Sequence, residues 1–214
     1  MQVTWEMLED AVSDCRGCVL CQTRQHTVLG EGSRNADVMF VGEGPGQQED
    51  EQGRPFVGPA GQLLDKMLAA IGLDRSVVYI ANIVKCRPPH NRVPEAFEQN
   101  ACLPYLRAQF VLVRPKILVC LGATAAKAVI RPDLRITRER GIWVDKKGTQ
   151  ILPTYHPSAL LRDETGEKKR EAWQDMKALR DRMKEMGIYP GQEVEADGKK
   201  SETCAPARGM RGVF

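Results

Sequence analysis

The stretch Asp37-Val38-Met39-Phe40-Val41-Gly42-Glu43-Gly44-Pro45-Gly46 sets the reading of this chain. Val38 to Val41 leave no polar face, which predicts a strand buried on both sides, the habit of parallel sheets. The glycines then predict a tight turn at its carboxyl end. Three more stretches share this character: Val77-Val78-Tyr79-Ile80-Ala81-Asn82, Lys116-Ile117-Leu118-Val119-Cys120-Leu121-Gly122 and Gln150-Ile151-Leu152-Pro153-Thr154-Tyr155. Helical patterns lie between and around them, over 60–72, 95–112, 123–130 and 167–186, with a shorter one at 5–12. In the last long helix Trp173, Met176, Leu179 and Met183 recur at three- or four-residue intervals, an apolar stripe on a charged helix. Strands alternating with helices predict an α/β fold, a three-layer α/β/α arrangement around a central four-stranded, mostly parallel sheet. A polar turn in Trp143-Val144-Asp145-Lys146-Lys147-Gly148-Thr149 predicts a small hairpin within 141–151.

The 214 residues fit one domain plus a tail. Residues 1–189 are expected to form the domain. Residues 190–214, rich in Gly, Glu, Lys, Ala and Ser and without apolar period, are read as a disordered tail holding an isolated Cys204. Lys and Arg number 31 against 28 Asp and Glu, a net charge of +3 that permits a nucleic-acid partner without demanding one. No apolar run approaches the ~18 residues of a membrane span, and no signal peptide is visible at Met1-Gln2-Val3-Thr4-Trp5-Glu6. A cytoplasmic protein is expected, in which the seven cysteines do not form a disulfide framework. No fixed-period repeat points to a solenoid.

In open α/β sheets ligands sit beyond the carboxyl ends of the strands. The first strand is followed there by Gly42-Glu43-Gly44-Pro45-Gly46-Gln47-Gln48-Glu49-Asp50, and the second by Asn82 and the basic segment Lys85-Cys86-Arg87. The third leads to Gly122-Ala123-Thr124-Ala125 and the fourth to His156-Pro157-Ser158. A glycine loop with carboxylates, an amide and an imidazole thus converge on one edge, and such groups can read the hydrogen-bonding edge of a base. The loop is neither a Walker loop nor a dinucleotide fingerprint, since no Gly-Lys-Ser/Thr follows and its glycines alternate. Taken singly, Asn82 also suits a turn cap and His156 a structural role. Phe56, in Gly53-Arg54-Pro55-Phe56-Val57-Gly58, suits either core or an aromatic stacking platform.

The cysteines carry a second signal. Cys15-x2-Cys18 is a chelating pair, and Cys86 and Cys102, fifteen residues apart around Pro88, Pro89 and Pro94, make a second. That is not zinc-ribbon spacing. Four thiolates without histidine suit a 4Fe-4S cluster, with zinc and unliganded thiols as the alternatives. Cys21 extends the first pair to Cys15-x2-Cys18-x2-Cys21, but no fourth cysteine follows nearby. Cys120, inside a strand, reads as a small buried hydrophobe.

Glycine loop, Gly53-to-Gly58 segment, Asn82, His156-Pro157-Ser158-Ala159-Leu160-Leu161 and the four cysteines together resemble the family 4 uracil-DNA glycosylases, the iron–sulfur type, over roughly residues 5–186. The resemblance implies hydrolysis of the N-glycosidic bond of deoxyuridine in single- and double-stranded DNA, by a monomer carrying one 4Fe-4S cluster on Cys15, Cys18, Cys86 and Cys102. It implies that Phe56 stacks on the flipped uracil and that Asn82 reads its N3 and O4. His156 would donate to O2, while Glu43 and Gly44 line the pocket. Leu160 or Leu161 resembles the wedge that fills the emptied stack, and Arg162 beside them suits a phosphate. Family 1 enzymes carry a water-positioning Asp where Gly44 stands here, which leaves Glu43 and Glu49 as candidates for that task. The basic, His-containing insertion of the cross-linking relatives is absent from Arg131-Pro132-Asp133-Leu134-Arg135-Ile136-Thr137-Arg138-Glu139-Arg140, whose four arginines still favour a phosphate backbone. The competing readings are an iron–sulfur redox protein and a non-catalytic nucleotide-binding module on the same scaffold.

Overall fold

The computed structural model describes residues 3–190. The expected tail, apart from Pro190, and Cys204 lie outside the described residues. Six strands form one sheet: β1 (Glu31–Gly32), β2 (Val38–Gly42), β3 (Val78–Asn82), β4 (Ile117–Leu121), β5 (Val144–Lys146) and β6 (Thr149–Thr154). Their spatial order is β1-β3-β2-β4-β6-β5. The helices are α1 (Trp5–Ser13), α2 (Gln47–Gln52), α3 (Pro59–Ala69), α4 (Ala96–Val113), α5 (Ala123–Val129), α6 (Ile136–Glu139), α7 (Pro157–Leu161) and α8 (Glu167–Glu185).

The sheet is larger than the four strands expected from sequence. The four long apolar stretches are its parallel centre, β3-β2-β4-β6, and an antiparallel strand closes each edge. One edge strand, β5, belongs to the expected hairpin with β6, turning at Lys147-Gly148 where both residues take positive φ. The other, β1, has two residues and pairs Glu31 with Ile80 and Gly32 with Tyr79. It carries no apolar alternation, so only its tertiary pairing makes it a strand.

Both faces of the central strands are covered. Phe40, Val38, Ile80, Val119 and Leu152 pack with Leu64, Met67 and Leu68 of α3 and Met176, Leu179 and Met183 of α8. Met39, Val41, Ala81, Leu118 and Cys120 pack on the opposite face with Leu106 and Val113 of α4 and Ala125 and Ala126 of α5. Cys120 is fully buried, as expected of a small hydrophobe, and burial pushes its thiol up to about 12. Among the described residues no helix is long and apolar enough to cross a membrane.

One buried ionic group holds α8 to the sheet just before its functional edge. The Asp175 carboxylate, 2% exposed, accepts from Arg140 Nε at 2.8 Å and from Thr154 Oγ1 at 2.6 Å. Burial raises the Asp175 carboxyl and the Arg140 and Thr154 hydrogen bonds oppose that rise. Removing the carboxylate would leave a largely buried guanidinium underpartnered, which typically costs about 3–5 kcal/mol. Asp175→Ala is therefore expected to lower stability by about 3 kcal/mol, read as a fall in the urea unfolding midpoint at unchanged slope.

Candidate active site

The four parallel strands end at the same edge, and a cleft of about 830 Å³ opens there. Its lining includes Glu43, Gly44, Glu49, Phe56, Asn82, His156, Leu161 and Arg162. The β2–β3 register pairs Gly42 directly with Asn82. A Cβ on Gly42 would meet Asn82 Oδ1 at 2.5 Å and Phe56 Cζ at 2.5 Å, so glycine lets amide and aromatic ring close over the strand end. Gly44 is packed likewise, its absent Cβ falling 2.7 Å from Val84 Cγ2.

Asn82 is 1% exposed, and its Oδ1 is a buried side-chain acceptor with no hydrogen-bond partner among the described residues. Buried polar atoms are nearly always satisfied, so such an orphan marks a place where a ligand atom belongs. Phe56 lies 5.6 Å from the His156 ring, centroid to centroid, with 32° between the planes. It belongs to the core and to the cleft at once. Its backbone is left-handed, at φ 55°. A bulky residue adopts that conformation only when its surroundings impose it.

Glu49 supplies the restraint. This 9% exposed carboxylate accepts from the backbone N–H groups of Gly46 (3.1 Å), Val57 (2.8 Å) and Gly58 (2.7 Å). It thereby caps α2 and ties the glycine loop to the segment carrying Phe56. Gly61 completes the arrangement, since a Cβ there would fall 1.7 Å from the Phe56 carbonyl oxygen. Glu43 is placed differently: it lines the cleft and accepts from Thr124 Oγ1 at the start of α5. Sequence reading ranked both as water-positioning candidates, and the hydrogen bonds separate them.

His156 follows β6 and caps α7, where Pro157 at the first helical position fixes the exit direction. Its Nδ1 accepts the Ser158 backbone N–H at 3.2 Å and lies 2.8 Å from Ser158 Oγ. With Nδ1 an acceptor, the proton of the neutral ring sits on Nε2. Burial, aided by the positive charge of Arg162, lowers the imidazole to about 4. At neutral pH the ring is therefore an uncharged Nε2–H donor. Gly122, at φ 90°, makes room for it, because a Cβ there would meet His156 Cβ at 2.9 Å.

Two adjacent leucines part company on α7. Leu160 is fully buried in the core, so its expected role as a wedge does not stand; Leu161, 49% exposed, lies on the cleft rim beside Arg162. Of the four arginines between 131 and 140, Arg131 pairs with Asp133 and Glu139 and Arg140 with Asp175 and Glu171, and none lines the cleft.

The cysteines meet at a second place. Cys15, Cys18, Cys21, Cys86 and Cys102 line one small cavity with Arg24, Lys85 and Tyr105. Three of the thiols accept N–H hydrogen bonds: Cys15 from Gly17 (3.4 Å), Cys86 from Arg24 Nη1 (3.1 Å) and Cys102 from Lys85 (3.2 Å). Such donors stabilise thiolates and are the usual surroundings of metal-bound sulfur. Among the described residues no three His, Cys, Asp or Glu side chains converge to hold a single metal ion. Thiols with N–H donors aimed at their sulfurs are the donor chemistry that an iron–sulfur cluster takes. Burial pushes the Cys86 thiol up and the Cys102 thiol up to about 11, so as free groups both stay protonated. Cys21 shares this cavity, which spacing alone left open.

Fold and cleft together define an α/β protein that offers a planar, hydrogen-bonding ring an aromatic face, an unpaired amide oxygen and a neutral imidazole donor. Residues 29–177 match the model of the uracil DNA glycosylase superfamily. A type-4 uracil-DNA glycosylase of Thermotoga maritima is 42% identical over 85% of this chain and 96% of its own length. Those of Sulfurisphaera tokodaii and Pyrobaculum aerophilum are 47% and 42% identical, each over 73% of this chain, and over 75% and 84% of their own lengths. The chain belongs to the type-4 uracil-DNA glycosylase family within that superfamily.

The tautomer yields a direct expectation. ¹⁵N NMR of His156 should show a neutral ring protonated at Nε2 throughout pH 5–8, with protonation only near pH 4. An imidazolium forming near the ordinary histidine value of ~6.5 would contradict the assignment.

Proposed function

We propose that this chain releases uracil from DNA by hydrolysing the bond between the base and its deoxyribose, leaving an abasic site. The observation that carries the reading is the partnerless Oδ1 of Asn82, buried at the end of β3 against Phe56. Uracil presents a donor at N3 and an acceptor at O4, which an Asn side chain matches with Oδ1 and Nδ2. Cytosine presents an acceptor at N3 and an amino donor in place of O4, so both contacts would reverse. An unpaired buried donor or acceptor costs ~1–3 kcal/mol, and two together give strong rejection.

A base within a duplex is out of reach, so the nucleotide is flipped into the cleft at a cost of a few kcal/mol. Leu161 fills the space left behind and Arg162 holds a flanking phosphate. Phe56 stacks on the flipped ring. As the C1′–N1 bond breaks, its electrons pass to the base and negative charge gathers on O2. The His156 Nε2–H donates to that oxygen, more strongly in the transition state than in the ground state. A neutral donor suits the task, because it stabilises the anion without first losing a proton to it. Water completes the substitution at C1′. Glu43 is the better placed carboxylate to orient it, since Glu49 is committed to three backbone N–H groups.

Cys15, Cys18, Cys86 and Cys102 would hold one 4Fe-4S cluster, which when bound joins the chain after α1 to α4 and to the segment following β3. The protein acts as a monomer in this reading, in the cytoplasm, the compartment that suits cysteines outside a disulfide framework.

Single-turnover assays on uracil-containing oligonucleotides, single- and double-stranded, test the activity. The wild type should release free uracil, and His156→Ala should do so about a hundred- to a thousand-fold more slowly. DNA affinity by fluorescence anisotropy should change little, because phosphate contacts dominate it. Equal losses in rate and affinity would move His156 from chemistry to scaffold. For the cluster, anaerobically purified protein should be brown and contain iron and sulfide; Cys86→Ala should lose both, and Cys21→Ala should keep them. Stoichiometric zinc without iron would overturn that assignment.

A further inference from the structure

Lys85 stands between the two sites: it lines the cysteine cavity, and its side chain reaches the strand end that carries Asn82. It is 1% exposed and among the largest fully buried side chains of the protein. Its Nζ donates to the backbone carbonyl of Asn82 at 2.8 Å and to Gln109 Oε1 at 2.6 Å. Gln109 has no freedom to turn away, because its Nε2 donates to Leu29 O at 2.8 Å and to Tyr79 Oη at 2.9 Å. The Lys85 backbone N–H donates to Cys102 Sγ, and Cys86 is the next residue. A single residue thus grips the base-reading asparagine with its side chain and a cluster cysteine with its backbone.

The location is telling in energetic terms. An amino group buried against neutral oxygens is a poor choice for stability, and a methionine would fill similar space without desolvating a polar group. What the lysine provides is an N–H donor on a long, straight arm. Asn82 is the last residue of β3; the N–H of the peptide that follows it donates to Gly42 O at 2.9 Å, which leaves the carbonyl of that peptide to be held from elsewhere. Lys85 holds that carbonyl and closes a three-residue loop onto it, so the Asn82 peptide is gripped at both its N–H and its C=O sides. Oδ1 must present its lone pair within a few tenths of an ångström, so the peptide that carries it needs such a restraint.

We propose that Lys85 is a positioning residue for base selection, fixing the setting of the Asn82 carboxamide through its main-chain carbonyl and joining it to the cysteine cavity through Cys102. The proposal rests on the uracil-excision reading of the cleft. It distinguishes Lys85 from a catalytic residue, since among the described residues Nζ donates to Asn82 O and Gln109 Oε1, and Lys85 is not part of the cleft lining.

A double-mutant cycle tests it. Lys85→Met is made in the wild type and in Asn82→Ala, and single-turnover uracil release is measured for all four proteins. If Lys85 acts through Asn82, Lys85→Met slows release about ten- to a hundredfold in the wild type and has almost no further effect once Asn82 is alanine. Should Lys85→Met fail to fold, Lys85→Met/Gln109→Leu replaces both polar partners by apolar ones and is used in the same cycle. Losses that multiply in the Asn82→Ala background, or no loss in the wild type, overturn the proposal. Failure of the wild type to release uracil, or full activity in Asn82→Ala, instead contradicts the reading on which it rests.

Discussion

Gly42 and Asn82 face each other across the β2–β3 ladder, and the active cleft is built outward from that pairing. A parallel register fixes which residues end their strands side by side. Here it sets a residue without a side chain beside one whose amide must be reached. Any Cβ at position 42 would strike both Asn82 Oδ1 and the Phe56 ring, so the register, the glycine and the aromatic loop are a single constraint. The Glu49 carboxylate extends it by binding the loop after Gly42 to the amides that follow Phe56. Lys85 extends it on the other side by holding the Asn82 peptide.

These restraints work against local preference. Phe56 sits at positive φ, Asn82 keeps a buried acceptor unpaired, and Lys85 buries its amino group in the core. Each lowers stability when taken alone, and each lies within the same small region at the end of β2 and β3. Strain and unsatisfied polarity collected in one place are what preorganisation for a ligand looks like. His156 fits the same pattern, because its acceptor nitrogen is occupied by Ser158 while its donor is left for the cleft.

Much of this was legible in the sequence, for identifiable reasons. The four central strands are unbroken apolar runs, and burial on both faces leaves that signature. The convergence of Glu43, Asn82 and His156 followed from the rule that ligands sit at carboxyl ends of parallel strands, whereas Phe56 joined them only through the family resemblance. Other features carry no local signal. Two-residue β1 exists only through Tyr79 and Ile80. Leu160 and Leu161 are adjacent on a five-residue helix, too short to show a period, and tertiary packing alone decides which is buried. Glu49 looked like either a cap or a base, and in the fold it accepts three backbone N–H groups, two of them from residues further along the chain that its position gives no hint of. Lys85 was read within a basic segment at the strand edge, yet its amino group is turned inward; the pairing with Gln109, 24 residues away, is invisible until the chain folds.

The central claim is that the cleft is shaped in advance for uracil, with the Asn82 carboxamide as reader and Phe56 as platform. A crystal structure of the protein with free uracil tests it most directly. The account predicts the ring stacked on Phe56, its N3–H within hydrogen-bond distance of Asn82 Oδ1 and its O2 facing His156 Nε2, with the loop from Gly42 to Gly58 unmoved. Uracil bound away from Asn82, or bound there only after that loop rearranges, would contradict it.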